Sequence, residues 1–468
     1  MKKKEQAYRL RVCWGQACGG RRPSSIRCFK NAVGRGHDLV YPALMHKPER
    51  YFPTAARLSN RRLHTAPGAC SNTDVLVLGA GASGLMCARE AAGQGLSVVV
   101  LEAGASPGRK LAISGGGRAN FSNREISEDH FRSDGARGAA FCVPALRAFT
   151  PEHMLRLLRQ WNLPFEERTH GQLFLTVPAQ RLAGALSNDC RRYGARIVCR
   201  AVVDTVQVMA DGTFLATGQA GQWRAQALVL ALGSPACPQA GGSAAGYRLA
   251  QSLGHGIVPP RPALTPLLLA PDSPLPALTG ISLPARISIG NRFWEDSLLL
   301  THCGLSGPLA LKASLYWQKD KEITMDFLPG RDVRSLFAAP QAGGQTPRSL
   351  LARHLPQRLV DSLLPPDTAR RKIAELARSM RQALAESIHC HRLRPVGTAG
   401  FKKAEVCTGG VTTDEIDPHS MGSLICPRLF VIGELLDVTG LLGGYNLHWA
   451  WASGVMAGRS LLQKDTHE

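Results

Sequence analysis

The chain has 468 residues, 44% of them hydrophobic and 19% charged, with a formal net charge of +21; this length allows two or three domains with cores of their own, and the composition is ordinary for a globular protein. Nowhere does it approach the roughly eighteen consecutive apolar residues of a membrane span, so neither a transmembrane helix nor a membrane partner is expected. The charge looks like a nucleic-acid signature until it is located: residues 1–72 hold 15 Lys and Arg against 3 Asp and Glu, which leaves +9 for the other 396 residues.

Residues 1–72 scatter Gly, Pro and Arg among fragments such as GGRRPSSIRCFK, without sustained apolar periodicity. A basic, disordered extension is expected there. It lacks the apolar core of a secretory signal, although its Arg-rich, acid-poor composition is that of an organellar transit peptide. A start of translation assigned too far upstream is preferred to a basic RNA-binding arm. Of the thirteen cysteines, Cys13, Cys18, Cys28 and Cys70 fall in this segment, and there is no C-x-x-C anywhere. No metal site is expected from that pattern, and the compartment is expected to be the reducing cytoplasm. His389-Cys390-His391 resembles a ligand cluster, but adjacent residues on a helix point apart, so it reads as a solvated helix end.

The first ordered stretch runs from Asp74 to Asn123. The apolar run Val75 to Leu78 opens into Gly79-Ala80-Gly81-Ala82-Ser83-Gly84, followed by small and apolar residues at helical spacing. In this strand-turn-helix, Gly79 allows the turn, Gly81 allows close approach of a pyrophosphate, and Gly84 allows the helix to pack on the strand; the phosphates meet N–H groups at the helix N-terminus. A second apolar run, Val98 to Leu101, delivers Glu102, with Ala103 beside it, where an acid hydrogen-bonds an adenosine ribose. Arg109 and Lys110 are expected against the pyrophosphate. The glycines of Ser114-Gly115-Gly116-Gly117 would let main chain pass close to a longer cofactor, which selects FAD over NAD.

Thr150-Pro151 starts a helix through Trp161. HGQLFLT (170–176) reads as a strand, Gln180 to Tyr193 as a helix, and Ala195 to Cys199 as a strand. Ala201 to Val208 and Thr213 to Thr217 alternate like antiparallel strands around Asp211-Gly212; Val203, in the first of them, is expected to contact the nucleotide. Ala227 to Leu232 is a buried strand ending in Gly233, which is expected near the nucleotide. The second glycine cluster, Gly241 to Gly246, is not preceded by a strand and is not a second fingerprint.

Seven prolines between Pro259 and Pro276 mark a boundary. Beyond it lie β-rich segments and then a helical stretch from about Thr346 to Ile388. The apolar strand Leu429 to Ile432 ends in Gly433-Glu434, and a glycine-rich turn through Gly443, Gly444, Tyr445 and Asn446 begins a helix reaching Leu462. A helix N-terminus aimed at the pyrimidine end of a flavin would stabilise negative charge there. The expected organisation is α/β: a discontinuous FAD domain with two dinucleotide folds, glutathione-reductase-like, in two parts (73–260 and 394–463), around an inserted β-rich and then helical domain (261–393).

GRKLAISGGGRANFSN, LLLTHCGLSGPLAL, KAEVCTGGVTTDEI and FVIGELLDVTGLLGGYNLHWAWASG resemble, in order, diagnostic segments of the BaiN-like or YhiN-like NAD(P)/FAD-dependent oxidoreductases, over residues 73 to about 463. HGQLF, HLPQRLV and DVTGLLGGYN resemble most the YhiN-type branch, which is associated with dihydrouridine synthesis in 23S ribosomal RNA. Other relatives are associated with reduction of conjugated steroid enones and with amine or aminoketone oxidation. The resemblance implies FAD as cofactor, NAD(P)H as a candidate electron donor, and ribosomal RNA or a small molecule as substrate. Two departures stand out: Ala119 replaces the Cys of the usual GGGRCN, and His448 stands where Gln is common, next to the expected flavin edge.

Reduction of a uracil 5,6-double bond needs hydride at C6, a proton at C5 and an unstacked base. His302 and Cys303, in THCGLSGP of the inserted domain, are the candidate proton donors; His302 comes first because an imidazole titrates near neutrality, and the alternative for it is a residue that caps a turn or satisfies the core. Arg118 and Asn120 are candidates to polarise a substrate carbonyl or, equally, to hold the flavin or the loop. Basic residues on the inserted domain, among them Arg348, Arg358, Arg370, Arg371 and Lys372, with Lys402 and Lys403 later, favour RNA over a small-molecule reductase or oxidase, and over a flavin-binding protein without turnover.

Overall fold

The structure is a computed structural model, which describes residues 70–462; the expectations for residues 1–69 lie outside them. The strand β1 is Ser71–Leu78, with its last four residues buried. It starts three residues before the expected Asp74, because Ser71, Asn72 and Thr73 already pair with Trp223, Arg224 and Ala225. The helix α1, Ala82–Gly93, and the strand β2, Val98–Glu102, complete the first unit. β1 is central in a seven-stranded sheet, with β2 and then Arg196–Cys199 parallel to it on one side and Gly221–Leu230 parallel on the other. On its side away from β1, Gly221–Leu230 pairs twice: its first half continues the antiparallel meander of Val203–Val208 and Phe214–Gly218, and its end runs parallel to Leu429–Val431. Strands covered on both faces must be apolar throughout, hence the uninterrupted runs Val75–Leu78, Val98–Leu101 and Leu228–Leu230.

The terminal helix, Tyr445–Ser460, packs against α1 so closely that two of its residues must be glycine. A Cβ on Gly454 would lie 2.5 Å from the Ser83 carbonyl oxygen, and one on Gly458 would lie 2.7 Å from that of Cys87. The backbone at the start of α1 is thereby held directly by the C-terminal segment.

The chain leaves this layer through Ile257–Ala263 and returns through Val406–Val411, which pair antiparallel with an irregularity between Val258 and Arg261. Pro259 and Pro260, which have no N–H to donate, occupy that step. Between them lies a wholly antiparallel seven-stranded sheet in the order 391–393, 323–326, 282–289, 292–301, 304–306, 267–268, 397–398. It has its own core, including Ile287, Leu298, Leu300, Met325, Leu309 of the helix Gly307–Ser314 and Ile388 of the helix Arg378–His389. Its last strand, Gly397–Thr398, pairs with Leu267–Leu268, so the inserted layer extends past the expected boundary at Arg394. A two-residue strand has no periodicity for a sequence to display. His389 also departs from expectation: its Nδ1 bonds Asp326 at 2.9 Å and its Nε2 accepts from the Val333 N–H at 3.1 Å, clamping the helix end rather than facing water. No helix among the described residues is long and apolar enough to cross a membrane.

Candidate functional site

A cavity of about 940 Å³ lies between the parallel sheet's loops and the inserted layer. Its floor begins at the β1–α1 turn, where the three motif glycines occupy three different environments. Gly79 has φ +104, and a Cβ there would sit 2.4 Å from the Ala231 carbonyl oxygen. A Cβ on Gly84 would sit 2.0 Å from the Gly79 carbonyl oxygen, so Gly84 is confined by packing. Gly81 has nothing within 4 Å of its Cβ position. Gly81, Ala82 and Ser83 line the cavity at the start of α1, a helix without a side-chain cap. Open space against an uncapped helix N-terminus suits a phosphate.

Glu102 accepts the Ala80 N–H at 2.9 Å and the Gly104 N–H at 2.7 Å, and with Ala103 and Val203 it lines the same cavity. Arg109 donates to the Gln239 carbonyl at 3.2 Å. Lys110 pairs with Glu434 at 2.6 Å, and Glu434 also accepts from the Ser234 hydroxyl at 2.9 Å and the Cys407 N–H at 3.3 Å. Gly233, Gly443, Gly444 and Asn446 reach the cavity, whereas Gly84, Gly117, Gly433 and Tyr445 are not on its wall. Gly433 is needed behind it, because a Cβ there would lie 2.4 Å from the Ser83 Oγ. Tyr445 is turned away and stacks on His130, with ring centroids 4.3 Å apart.

The glycine turn before the terminal helix is held by the strand Asn120–Asn123. A Cβ on Gly444 would meet the Ser122 carbonyl oxygen at 2.2 Å. With its amide oriented by its neighbours, Asn120 accepts the Gly444 N–H and donates to the Ser122 and Leu173 carbonyls, each at 3.2 Å. Asn123 donates to the Gly443 carbonyl at 3.0 Å. Asn120 therefore lines the cavity and spends its hydrogen bonds on the turn, the loop-holding one of the two roles expected for it. Arg118 is exposed, donates to the Thr176 carbonyl at 3.2 Å and does not line the cavity.

The expected proton donors are also displaced. His302 and Cys303 form the exposed tip of the hairpin between Arg292–Thr301 and Gly304–Ser306, outside the cavity wall. What the inserted layer offers instead is Asp296, earlier on the same strand, paired at 2.6 Å with Lys312, together with Leu264, Pro308 and Leu311. Lys402, Lys403 and Glu405 line the wall on the returning segment. Glu405 lay within the KAEVC motif, but nothing local in the sequence set it apart from a solvated acid.

His448 does not reach the expected flavin edge. It is fully buried, with Nδ1 2.9 Å from the Ser122 Oγ and Nε2 2.9 Å from the Phe149 carbonyl oxygen. Because a carbonyl only accepts, Nε2 carries the proton and Nδ1 accepts from the serine. Burial pushes its pKa down to about 4. The unfolded chain thus binds a proton between pH 6.5 and 4 that the native state refuses, so this imidazole stabilises the fold fully above pH 6.5 and loses that contribution as pH falls through the window, on the order of 3 kcal/mol in all. His448→Gln, which can make both hydrogen bonds without titrating, is expected to flatten the acid limb of a melting-temperature profile. His153, also pushed down to about 4, keeps the remaining slope. An unchanged acid limb would remove His448 as its source.

One side-chain constellation outside the cavity has the form of a hydrolytic triad without its freedom. His255 bridges Glu415 and the Ser423 Oγ at 2.9 Å each, but that oxygen already accepts the Ile425 and Cys426 N–H groups, so the arrangement clasps two loops.

The profile described as "HI0933-like protein Rossmann domain" matches residues 73–460. The chain is 35% identical over 395 residues to a ribosomal RNA dihydrouridine synthase of Haemophilus influenzae, covering 82% of this chain and 98% of that protein. It is 34% identical over 399 residues to the Escherichia coli K12 protein of the same name, covering 83% and 98%. A 3-dehydro-bile acid delta(4,6)-reductase of Clostridium scindens is 29% identical over 412 residues, with 83% and 98% covered.

Proposed function

The chain belongs to the HI0933-like family, and from that membership we propose that it is an FAD-dependent oxidoreductase which reduces a carbon–carbon double bond conjugated to a carbonyl, with uridine in ribosomal RNA as the substrate. The observation that carries this reading is one continuous cavity, with the open Gly81 turn, Glu102 and the Gly443-Gly444 turn on one wall and a different structural layer on the other. Gly81, Ala82 and Ser83 are the proposed pyrophosphate ligands, Glu102 takes the adenosine ribose, and the start of the terminal helix faces the flavin ring. A bound, reduced flavin supplies the hydride. The chain's own part is to hold the acceptor against it and to exclude water from the space between.

The substrates named in the two kinds of relative share one chemistry. A uracil 5,6-double bond is conjugated to the C4 carbonyl, as the double bonds of a 3-oxo-4,6-diene are to theirs. RNA is favoured by Lys402 and Lys403, exposed at the cavity and paired with no carboxylate among the described residues, where they can take the phosphates flanking an unstacked base. The arginines of the helical part contribute less than their number suggests, since Arg348 pairs with Asp361 and Arg358 and Arg371 donate to carbonyls of their own layer. An apolar small molecule is favoured by the wall of Leu264, Pro308, Leu311, Leu441 and Leu442. NAD(P)H is the proposed electron donor, entering the same cavity; the second glycine cluster contributes Gly241, Gly242 and Ser243 to that wall. The proposed setting is the cytoplasm, with the ribosome as partner.

Dihydrouridine mapping of total RNA with and without the gene tests the substrate. Loss of a dihydrouridine in ribosomal RNA, restored by the wild-type gene, is the expected result. An unchanged RNA profile, together with reoxidation of the reduced protein by a conjugated enone, would assign it to the small molecule instead.

A further inference from the structure

Four carboxyl side chains line the cavity, and their hydrogen bonds separate them. Glu102 accepts two backbone N–H groups. Glu434 is held by Lys110, Ser234 and the Cys407 N–H. Asp296 is tied to Lys312 at 2.6 Å. Each of those three has its carboxyl engaged by donors that hold it in place. Glu405 differs: among the described residues, no group hydrogen-bonds its carboxyl.

Its backbone is nonetheless firmly placed. The Glu405 N–H donates to the Leu264 carbonyl at 3.2 Å, directly before Val406 pairs with Ala263, where the outgoing and returning strands between the layers meet. The side chain is accessible through the cavity while protein atoms crowd it elsewhere. That burial raises its pKa, and the nearby Lys110, itself occupied by Glu434, opposes the rise. The other charged or titratable side chains on this wall are Arg109, His170, Cys237, Lys402, Lys403 and the Asp296–Lys312 pair.

We infer that Glu405 is the general acid of this cavity, delivering a proton to the α-carbon of the conjugated double bond, which is C5 in a uracil. The inference rests on the reductase reading above. With hydride delivered to the β-carbon by a reduced flavin, the electron pair of the former π bond is left on the α-carbon and conjugated into the carbonyl. The Glu405 O–H bond breaks, a C–H bond forms with that pair, and the carboxylate left behind regains its proton from solvent. The proton count and the two electrons of the hydride balance the saturated product. Lys312 is already committed to Asp296 at 2.6 Å.

Glu405→Gln and Glu405→Asp holoproteins, reduced with dithionite and mixed with a uridine-containing rRNA fragment or a conjugated enone, test this in single turnovers. The Gln variant is expected to keep its flavin and its reducibility, to reoxidise about 10²- to 10⁴-fold more slowly, and to lose the fall in rate that wild type shows as pH rises through the carboxyl's titration; Asp should recover part of the rate. An independent measurement needs no turnover: infrared titration, wild type minus Glu405→Gln, should show a protonated-carboxyl band persisting above the ordinary carboxylate range. If wild type reoxidises with substrate and the Gln variant matches its rate, or if the band titrates normally, Glu405 is not the acid. If wild type reduces neither substrate, the reductase reading itself fails and the inference falls with it.

Discussion

Gly81→Leu is expected to yield a folded protein that has lost its flavin. The backbone at Gly81 is extended, with φ −78 and ψ −172, a conformation any residue adopts, and no atom lies within 4 Å of the new Cβ. The apoprotein therefore has room for the side chain, whereas the pyrophosphate does not. A rise in Kd of about 100-fold or more is expected, about 3 kcal/mol, because the phosphates lose both their space and the N–H groups at the start of α1. The flavin-to-protein absorbance ratio after gel filtration measures it, with circular dichroism to check the fold. Gly84→Ala is the contrasting control: its Cβ would collide with the Gly79 carbonyl at 2.0 Å, so it should lose the fold along with the flavin. Stoichiometric flavin in a folded Gly81→Leu protein would remove this turn from the site.

The second large effect lies beneath that turn. Arg89 on α1 and Asp189 on the helix Gln180–Arg192 form a 2.7 Å ion pair in which each side chain is only 6% exposed. Asp189→Ala leaves a guanidinium buried with Glu90 and the face of Tyr193 for compensation, at a cost of about 3–5 kcal/mol. The melting temperature should drop sharply, and flavin affinity should fall with it, because α1 carries the proposed phosphate turn. The double variant Arg89→Met, Asp189→Leu replaces both charges with apolar groups and should recover most of the stability. Equal melting temperatures for Asp189→Ala and wild type would show that the pair does not hold α1 in place.

The sequence alone was sufficient for the parallel layer and the glycine turn that opens α1, because both are written in consecutive residues. Uninterrupted apolar runs mark strands buried on two faces, and glycine spacing marks where main chain must pass main chain. The acid at the end of β2 follows from the same local order. Side chains facing the cavity could not be read this way, because their position depends on which end or face of an element meets another layer. His302 and Cys303 occupy the tip of a hairpin whose strand brings Asp296, a few residues earlier, to the wall. On the terminal helix Leu447 and Ala450 face the cavity while His448, one residue on from Leu447, turns about 100° into the core. Glu405 reads in the sequence as one more charged residue after two lysines. Only the crossing of the outgoing and returning strands, some 140 residues apart along the chain, brings it to the cavity wall without giving its carboxyl a partner among the described residues. Tertiary packing sets which groups are desolvated and which donors reach them, and for that reason it alone decided which carboxyl on this cavity wall is left without a hydrogen-bond partner among the described residues.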